Sequence, residues 1–501
     1  MAKKKFLIQE ETAPSVREAD LTGVLENNIT EYGLSVLEDR MIPSVRDGLK
    51  PAQRRLLKAM YDMKCWNSSP TVKSARVLGD TMGKYHPHSE AYKPLQTLVN
   101  QTYSLVQGQG NWGSVDDEAA APRYTECKFS KLGQKCMESY CVAEEVPNFS
   151  GEYMEPIDIP MDFPCFFVNG GDGVGVAITY HTPDHNLQEV VEALKIVLKK
   201  WDNVKMKDLM KVFHGPDGTS GGKLLTPVDE LIKIYETGEG KMTYECDYKI
   251  TQVGKKSYIL NVTGYCPTFK PSTFQAAMIK LMDEKTPDGD KMIQYANDAS
   301  TKENPCNFEV MFVGEDTFEK EIHKHLIKNY TVQYYALDRR RSANQEIRDI
   351  DTKLLKLGLI DYMKIWLDWR REVEAKLLKV ERADTELKYF KTMCRIDAAK
   401  HLDVIKKALE ADETEDYIAK NLPLFKKTKD PQKVKEGAEY ITDLKLSALK
   451  KVDIEKLEKD SKDLIKEMER IDADLLDIDR VISRKLDGLK PFFKPRSLKI
   501  A

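Results

Sequence analysis

The chain has 501 residues, 41% of them hydrophobic and 32% charged, the latter above the usual ~25%. At about 150 residues per domain this length points to roughly three domains. The formal net charge is only −3, from 78 basic and 81 acidic residues, so no global basic excess advertises a polyanion and any nucleic-acid surface has to be local.

No run of about 18 apolar residues occurs, so no transmembrane helix is expected. The start, Met1-Ala2-Lys3-Lys4-Lys5-Phe6, is basic, but no apolar region or small-residue cleavage site follows it, and no secretory signal is expected. Nine cysteines are scattered without a CxxC pair. That pattern argues against a disulfide framework or a structural zinc site and fits reduced thiols in an intracellular protein.

Residues 1–25 are polar and weakly patterned, as in an arm. Pro51 suits the first position of a helix, and Ala52, Leu56, Leu57, Met60 and Met63 then form one apolar face at helical spacing, with Arg54, Arg55 and Lys58 on other faces. Ser68-Ser69-Pro70 makes a turn before a second helical stretch, Ser74 to Tyr85. Two short helices around a turn suggest a helix-turn-helix module. From Arg40 to Lys93 there are eleven basic and four acidic residues, a net +7 within a chain of −3. Such a concentrated patch is the footprint of phosphate-backbone binding.

Residues 155–350 read as α+β, with β-rich runs at 241–251, 257–262 and 308–312 and Gly/Pro punctuation such as Gly215-Pro216-Asp217-Gly218. Beyond about 350 the chain becomes helical and Lys/Glu-rich. Positions 454, 457, 461, 464, 468, 471, 475, 478 and 482 step by three and four, and all but Ser461 are Ile, Leu or Met. That is an a/d seam. An earlier stretch, Leu354 to Phe390, carries Trp366, Val373, Leu377, Val380 and Leu387 at compatible spacing. Two long helices with an insert at about 400–440 predict an antiparallel coiled-coil arm.

The chemistry-bearing residues cluster in the N-terminal third. A tyrosine hydroxyl can attack a phosphodiester and store the bond energy as a resealable aryl phosphate. The phenol is protonated at neutral pH, so it needs positive charge on the phosphoryl oxygens and help with its proton. Arg123, next to Tyr124, can fork onto two oxygens. His86 and His88 can polarise phosphate or relay a proton. Taken alone, an Arg-Tyr dipeptide is far more often structural than catalytic.

The ordered set of segments is more specific. Arg40 through Arg55, Lys73-Ser74-Ala75-Arg76, Gly83 through His88, Gly108 through Gly113 and Ala119 through Glu126 together resemble the DNA breakage-reunion chain of type IIA topoisomerases, found in gyrase and in topoisomerase IV. The resemblance is dense over about 31–190. It continues at Gly215-Pro216-Asp217 and at Thr237 through Lys241, and returns at Trp369 through Val373 and at Ile441 through Leu446. It implies that Tyr124 is the transesterifying residue and Arg123 its attendant at the scissile phosphate. Arg40, Lys50, Arg54, Arg55, His86 and His88 fall on DNA-contact and active-site positions. Val174, in Asn169 through Val174, takes the place of the aliphatic residue that wedges between base pairs, where isoleucine is usual. Gln53 stands where gyrase has histidine, and Ser89-Glu90-Ala91 departs from the family's Gly-Asp-Ser-Ala.

The resemblance implies a mixed α/β (α+β) chain. Its expected parts are an arm at 1–25, a winged-helix domain with the catalytic tyrosine at 26–155, a tower at 156–350, a coiled-coil arm with a small dimerising tip at 351–495, and a tail at 496–501. It implies a homodimer acting on double-stranded DNA, joined into a heterotetramer by an ATPase subunit. That partner is expected to carry both ATP and Mg²⁺, with no metal held by this chain and no membrane partner. With only a short basic tail after Leu489, relaxation and decatenation are expected and supercoiling is not. The expected location is intracellular, at the nucleoid, or in a host cytoplasm for a viral enzyme. The alternative from another class is a non-catalytic winged-helix and coiled-coil scaffold that binds DNA.

Overall fold

The computed structural model describes residues 21–88, 90–114, 117–175, 178–218, 221–301, 306–341, 350–409, 414–444 and 453–500. The expected arm up to residue 20, Ser89 of the divergent segment, Lys445-Leu446 of the last matching motif and Ala501 lie outside them. Among the described residues no helix is long and apolar enough to cross a membrane.

The N-terminal third is the expected helix-turn-helix with a small sheet. Helix α1 spans Leu21–Val36 and α2 spans Pro51–Asp62. The Lys50 N–H at the start of α2 donates to Gln53 Oε1 at 3.0 Å, satisfying one of the donors a helix start leaves open. After strand β1 (Val72–Lys73) comes α3 (Ser74–Lys84), then α4 (Tyr92–Asn100). Strands β2 (Val106–Gln109) and β3 (Glu126–Phe129) complete a three-stranded antiparallel sheet in the order β1-β3-β2. The apolar face of α2 is buried as its spacing predicts. Arg54 and Lys58 are buried too, so α2 is enclosed on nearly every side.

A short hairpin follows, β4 (Glu145–Pro147) with β5 (Met154–Pro156). Beyond it, β6 (Gly171–Val174) and β7 (Thr179–Thr182) open a six-stranded sheet. That sheet also takes β8 (Lys223–Leu224), β9 (Glu239–Glu245), β14 (Ile327–Gln333) and β17 (Lys499–Ile500). A separate four-stranded sheet holds β10 (Asp247–Gln252), β11 (Ser257–Gly264), β12 (Ile293–Asp298) and β13 (Phe308–Val313). The run expected at 241–251 is therefore two strands in two sheets. Cys246 divides them, because its N–H leaves the ladder to donate to Leu326 O at 3.1 Å. One continuous apolar core, from Val45 to Leu498, packs the helical module, both sheets and the start of the arm together.

The arm begins later than its spacing suggests. Residues 350–356 form strand β16 against β15 (Tyr335–Arg341), and the 42-residue helix runs from Leu359 to Lys400. Helix Ile454–Leu476 returns beside it. Cross-helix ion pairs run Lys400–Glu458, Arg382–Asp472 and Arg371–Asp479, an antiparallel register. The a/d seam is not one helix, however. Asp477 leaves the helical conformation and its side chain accepts the Arg480 N–H, starting a new helix, Ile478–Asp487.

Between the two long helices, short helices pack Cys394, Ile405, Ile418, Leu422, Phe425 and Ile441 into a separate core. Phe425→Ala is expected to destabilise this tip by about 3–5 kcal/mol. Hydrogen exchange checks it: amides in 414–441 should lose protection while those in 45–106 keep theirs.

Candidate nucleic-acid interface and active site

Tyr124 sits on a tight loop between the β2 and β3 strands and is 63% exposed. The loop caps α3: the Ser74 N–H donates to Thr125 O at 3.0 Å and the Ala75 N–H to Pro122 O at 3.2 Å. The Thr125 hydroxyl, fully buried, donates to Ser74 Oγ at 2.8 Å, and the Tyr92 hydroxyl on α4 donates to Ala120 O at 2.6 Å. Open N–H groups at a helix start thus clamp the segment on both sides of Tyr124. The exposed Arg123 guanidinium lies over the Tyr124 ring, 4.7 Å from its centroid. An always-charged, forked donor therefore stands beside an accessible phenol.

A second cluster gathers Arg40, His88, His86 and Arg55. Arg40 Nη2 lies 3.2 Å from His88 Nε2, and the two imidazoles meet edge to face at 5.3 Å. Arg55 Nη1 donates to His86 Nδ1 at 3.4 Å, so the other ring nitrogen carries the proton. Burial, Arg55, His88 and Arg40 together hold His86 down at about 4. It is a neutral imidazole at physiological pH, and the positive charge here belongs to the arginines. Among the described residues no hydrogen bond joins this cluster to Tyr124. The structure pairs Arg123 with Tyr124 and Arg40 with the histidines, as two separate groups within one chain.

Two of the expected DNA contacts are placed otherwise. Arg54 is 2% exposed. Its Nε and Nη2 fork onto Asp47 at 2.6 and 2.9 Å, and Nη2 also donates to Leu49 O at 2.9 Å. Burial opposes its charge, but Asp47 outweighs that and raises its pKa. Arg54 is a core ion-pair residue and cannot reach a phosphate. Arg55 forks onto Glu155 at 2.6 and 3.0 Å, which neutralises it. The same holds for much of the +7 patch: Arg46 pairs with Asp158, Lys58 with Glu145, Lys73 with Glu126 and Lys84 with Asp80. Arg76 and Lys93 are exposed with no ion pair to a described residue.

Lys50 points into a groove of about 920 Å³ between α2, α4, the β6–β7 pair and the loop Tyr265–Lys270. Its Nζ donates to Asp172 O at 2.7 Å and lies 5.4 Å over the Tyr180 ring. Desolvation pushes its ammonium below the usual lysine range, partly offset by Asp172. Val174, at the end of β6, is 76% exposed.

The groove floor also holds an acid that sequence patterning did not single out. Asp184 accepts the Thr102 hydroxyl at 2.6 Å, and burial pushes it up to about 7, with Asp172 and Asp217 adding to the rise. Only the distant Thr102 and the Pro183 beside it mark the position, so no local pattern could have found it. Among the described residues no group of three or more His, Cys, Asp or Glu side chains is placed to hold a metal ion.

A helix-turn-helix with a small sheet, a mixed α/β body and an antiparallel helical arm define the architecture on which these residues sit. A family model for the A-type chain of DNA gyrase/topoisomerase IV matches residues 40–487, and the chain belongs to that family. It is 30% identical over 475 residues to the A-type chain of DNA topoisomerase 4 from Neisseria gonorrhoeae, covering 90% of this chain and 60% of that protein. It is 30% identical over 454 residues to the corresponding chain of DNA gyrase from Thermotoga maritima, covering 88% and 54%. The corresponding gyrase chain from Streptococcus pneumoniae serotype 4 is 29% identical over 495 residues, covering 95% and 57%. The chain spans a little over half the length of these curated relatives.

Two outcomes follow. Replacing Arg40, Arg76 and Lys93 together by alanine should flatten the slope of log K against log[salt] for duplex DNA by about two to three units. Arg54→Ala should leave that slope unchanged and instead cost about 3–5 kcal/mol of stability, by stranding buried Asp47; titration calorimetry and urea unfolding separate the two.

For Asp184 the unfolded carboxyl titrates near 3.8 and the folded one near 7. Below the first value both states are protonated and no penalty exists. Between them only the folded state keeps the proton, so stability falls as pH rises, and above about 7 the penalty is complete. Asp184→Asn should therefore stabilise the protein more at pH 8 than at pH 4, by on the order of 1–3 kcal/mol, as read by thermal unfolding at the two pH values.

Proposed function

We propose that the chain is the DNA-cleaving and religating component of a type II DNA topoisomerase. Family membership supports the class, and the observation that carries the reading is the exposed Tyr124 under the Arg123 guanidinium, on a loop clamped to α3. The Tyr124 Oη attacks a backbone phosphorus. A bond forms between the phenolic oxygen and phosphorus, and the bond from phosphorus to one deoxyribose oxygen breaks. The phenolic proton is given up and the departing sugar oxygen takes one, leaving a phosphotyrosine and a free hydroxyl. Because the phosphodiester energy is kept, the reverse attack reseals the strand. Arg123 places charge-assisted donors on the phosphoryl oxygens as negative charge builds there.

In this reading residues 26–155 form the cleavage unit, 156–350 the tower and 351–495 the arm with its tip. Arg40, Lys50 and His88 face the DNA. Two copies pair so that two Tyr124 side chains address opposite strands, which a double-strand break requires. A partner subunit supplies ATP hydrolysis, which drives movement of the chains and not the transesterification. That partner also holds Mg²⁺, which would neutralise charge at the phosphate. Val174 enters the duplex as an apolar wedge, unstacking one step so that the duplex bends. The protein works inside the cell that holds its DNA.

Tyr124→Phe keeps the ring and removes the nucleophile. With Mg²⁺ and the partner subunit present, it should abolish cleavage of supercoiled plasmid while DNA affinity changes less than about twofold. Cleavage by the Phe variant refutes the assignment, and a wild-type complex that never becomes covalently linked to DNA returns the chain to the scaffold reading. The finer expectation, relaxation and unlinking without supercoiling, is decided by the same complex on relaxed plasmid with ATP. Unlinked and relaxed products alone support it, and negatively supercoiled product overturns it.

A further inference from the structure

Strands β6 and β7 are built to lie flat on the molecule and to show only one face. On the underside, a side chain at Gly173 would collide with the Tyr180 ring and Met41, and one at Gly175 with Met41. Bare backbone is therefore seated directly on the small core of Leu37, Met41, Ile42 and Tyr180. On the upper face stand Asp172 and Val174, two residues apart and so on the same side of the strand. Their cross-strand partners are His181 and Thr179.

Asp172 is the point where three elements meet. Its Oδ1 accepts from His181 Nδ1 at 2.9 Å and from the Tyr330 hydroxyl at 2.7 Å. A carboxylate only accepts, so the imidazole proton is on Nδ1. Tyr330 lies on β14, the far neighbour of β7, and its ring meets His181 edge to face at 5.9 Å. The backbone oxygen of Asp172 accepts from Lys50 Nζ at 2.7 Å, which ties β6 to the residue just before α2. An acid with 63% of its side chain exposed, beside a surface read as binding DNA, repels phosphate. That electrostatic cost calls for a compensating role.

We propose that Asp172 is a positioning residue: together with His181, Tyr330 and Lys50 it holds the β6–β7 pair at a set angle to α2, so that Val174 is aimed into the duplex. The proposal rests on the reading of Val174 as the wedge. Asp172 acts on how far the DNA bends and not on how tightly it is held. An apolar side chain on a free-swinging hairpin would lose part of its unstacking work to reorientation of the hairpin. Bonds to a carboxylate are the stronger kind: those to the Asp172 side chain join β6 to β7 and β14, while the Lys50 bond to its backbone oxygen reaches the helical module.

The test uses the full chain and a duplex carrying a fluorescent donor and acceptor at its ends, so energy transfer reports bending and anisotropy reports affinity. The wild-type chain should raise energy transfer on binding, and Val174→Ala should abolish the rise. Asp172→Asn should lower the ratio of bent to straight complexes by about tenfold, with affinity unchanged or tighter because a negative charge is gone. Tyr330→Phe should give a smaller loss in the same direction. The double variant Asp172→Asn/Val174→Ala should bend no less than Val174→Ala alone, since Asp172 acts through Val174.

Normal bending by Asp172→Asn, with Val174→Ala defective, overturns the proposal and leaves the wedge standing. Normal bending by Val174→Ala, or no bending by the wild-type chain, overturns the wedge reading and the proposal with it. A fall in both affinity and melting temperature for Asp172→Asn makes the residue structural only and overturns the positioning role.

Discussion

The Asp47 carboxylate is the hinge pin of the helical module around α2. Fully buried, it accepts two donors from Arg54, the Leu49 N–H at 2.9 Å and the Ile159 N–H at 3.0 Å. One side chain thereby ties the loop before α2, the helix itself and the segment that leads to β6. A buried charge is tolerable only when its partners are complete, and here every lone pair is used. The position of Lys50 at the start of α2 follows from this knot. Through Lys50, so does the seating of β6.

The same economy governs the charge. The local +7 patch suggests a broad cationic face, but six of its eleven cations are ion-paired: Arg46, Arg55, Lys58 and Lys73 with acids beyond the patch, and Arg54 and Lys84 with Asp47 and Asp80 within it. The cations of the patch without an ion pair to a described acid are fewer: Arg40, Lys50, Lys64, Arg76 and Lys93, with Arg123 beyond the patch. His86 adds hydrogen-bonding capacity without charge.

Local pattern carried much of the fold. Helix α2, the turn at Ser68-Ser69-Pro70 and α3 were legible from apolar spacing and turn residues, because their geometry is set within a few residues. The antiparallel arm was legible from its seam, although the seam runs through a helix break at Asp477, where the side chain caps the following helix. The Tyr124 loop was legible only as part of an ordered set of motifs. The Arg54 pair with Asp47, only seven residues before it, was not legible because spacing does not report burial. Asp172 and Asp184 were missed because their partners Tyr330 and Thr102 lie far away in the chain. Periodicity cannot report a contact that bridges 158 positions, as Tyr330 to Asp172 does.

In the proposed function this chain breaks DNA through one particular phenol. The direct measurement is to stop a cleavage reaction of the reconstituted complex with denaturant, digest the DNA and protein, and locate the residual nucleotide by tandem mass spectrometry. The expected result is a nucleotide on the Tyr124 oxygen. A nucleotide on any other of the 22 tyrosines, or cleaved DNA with no protein attached, would contradict it.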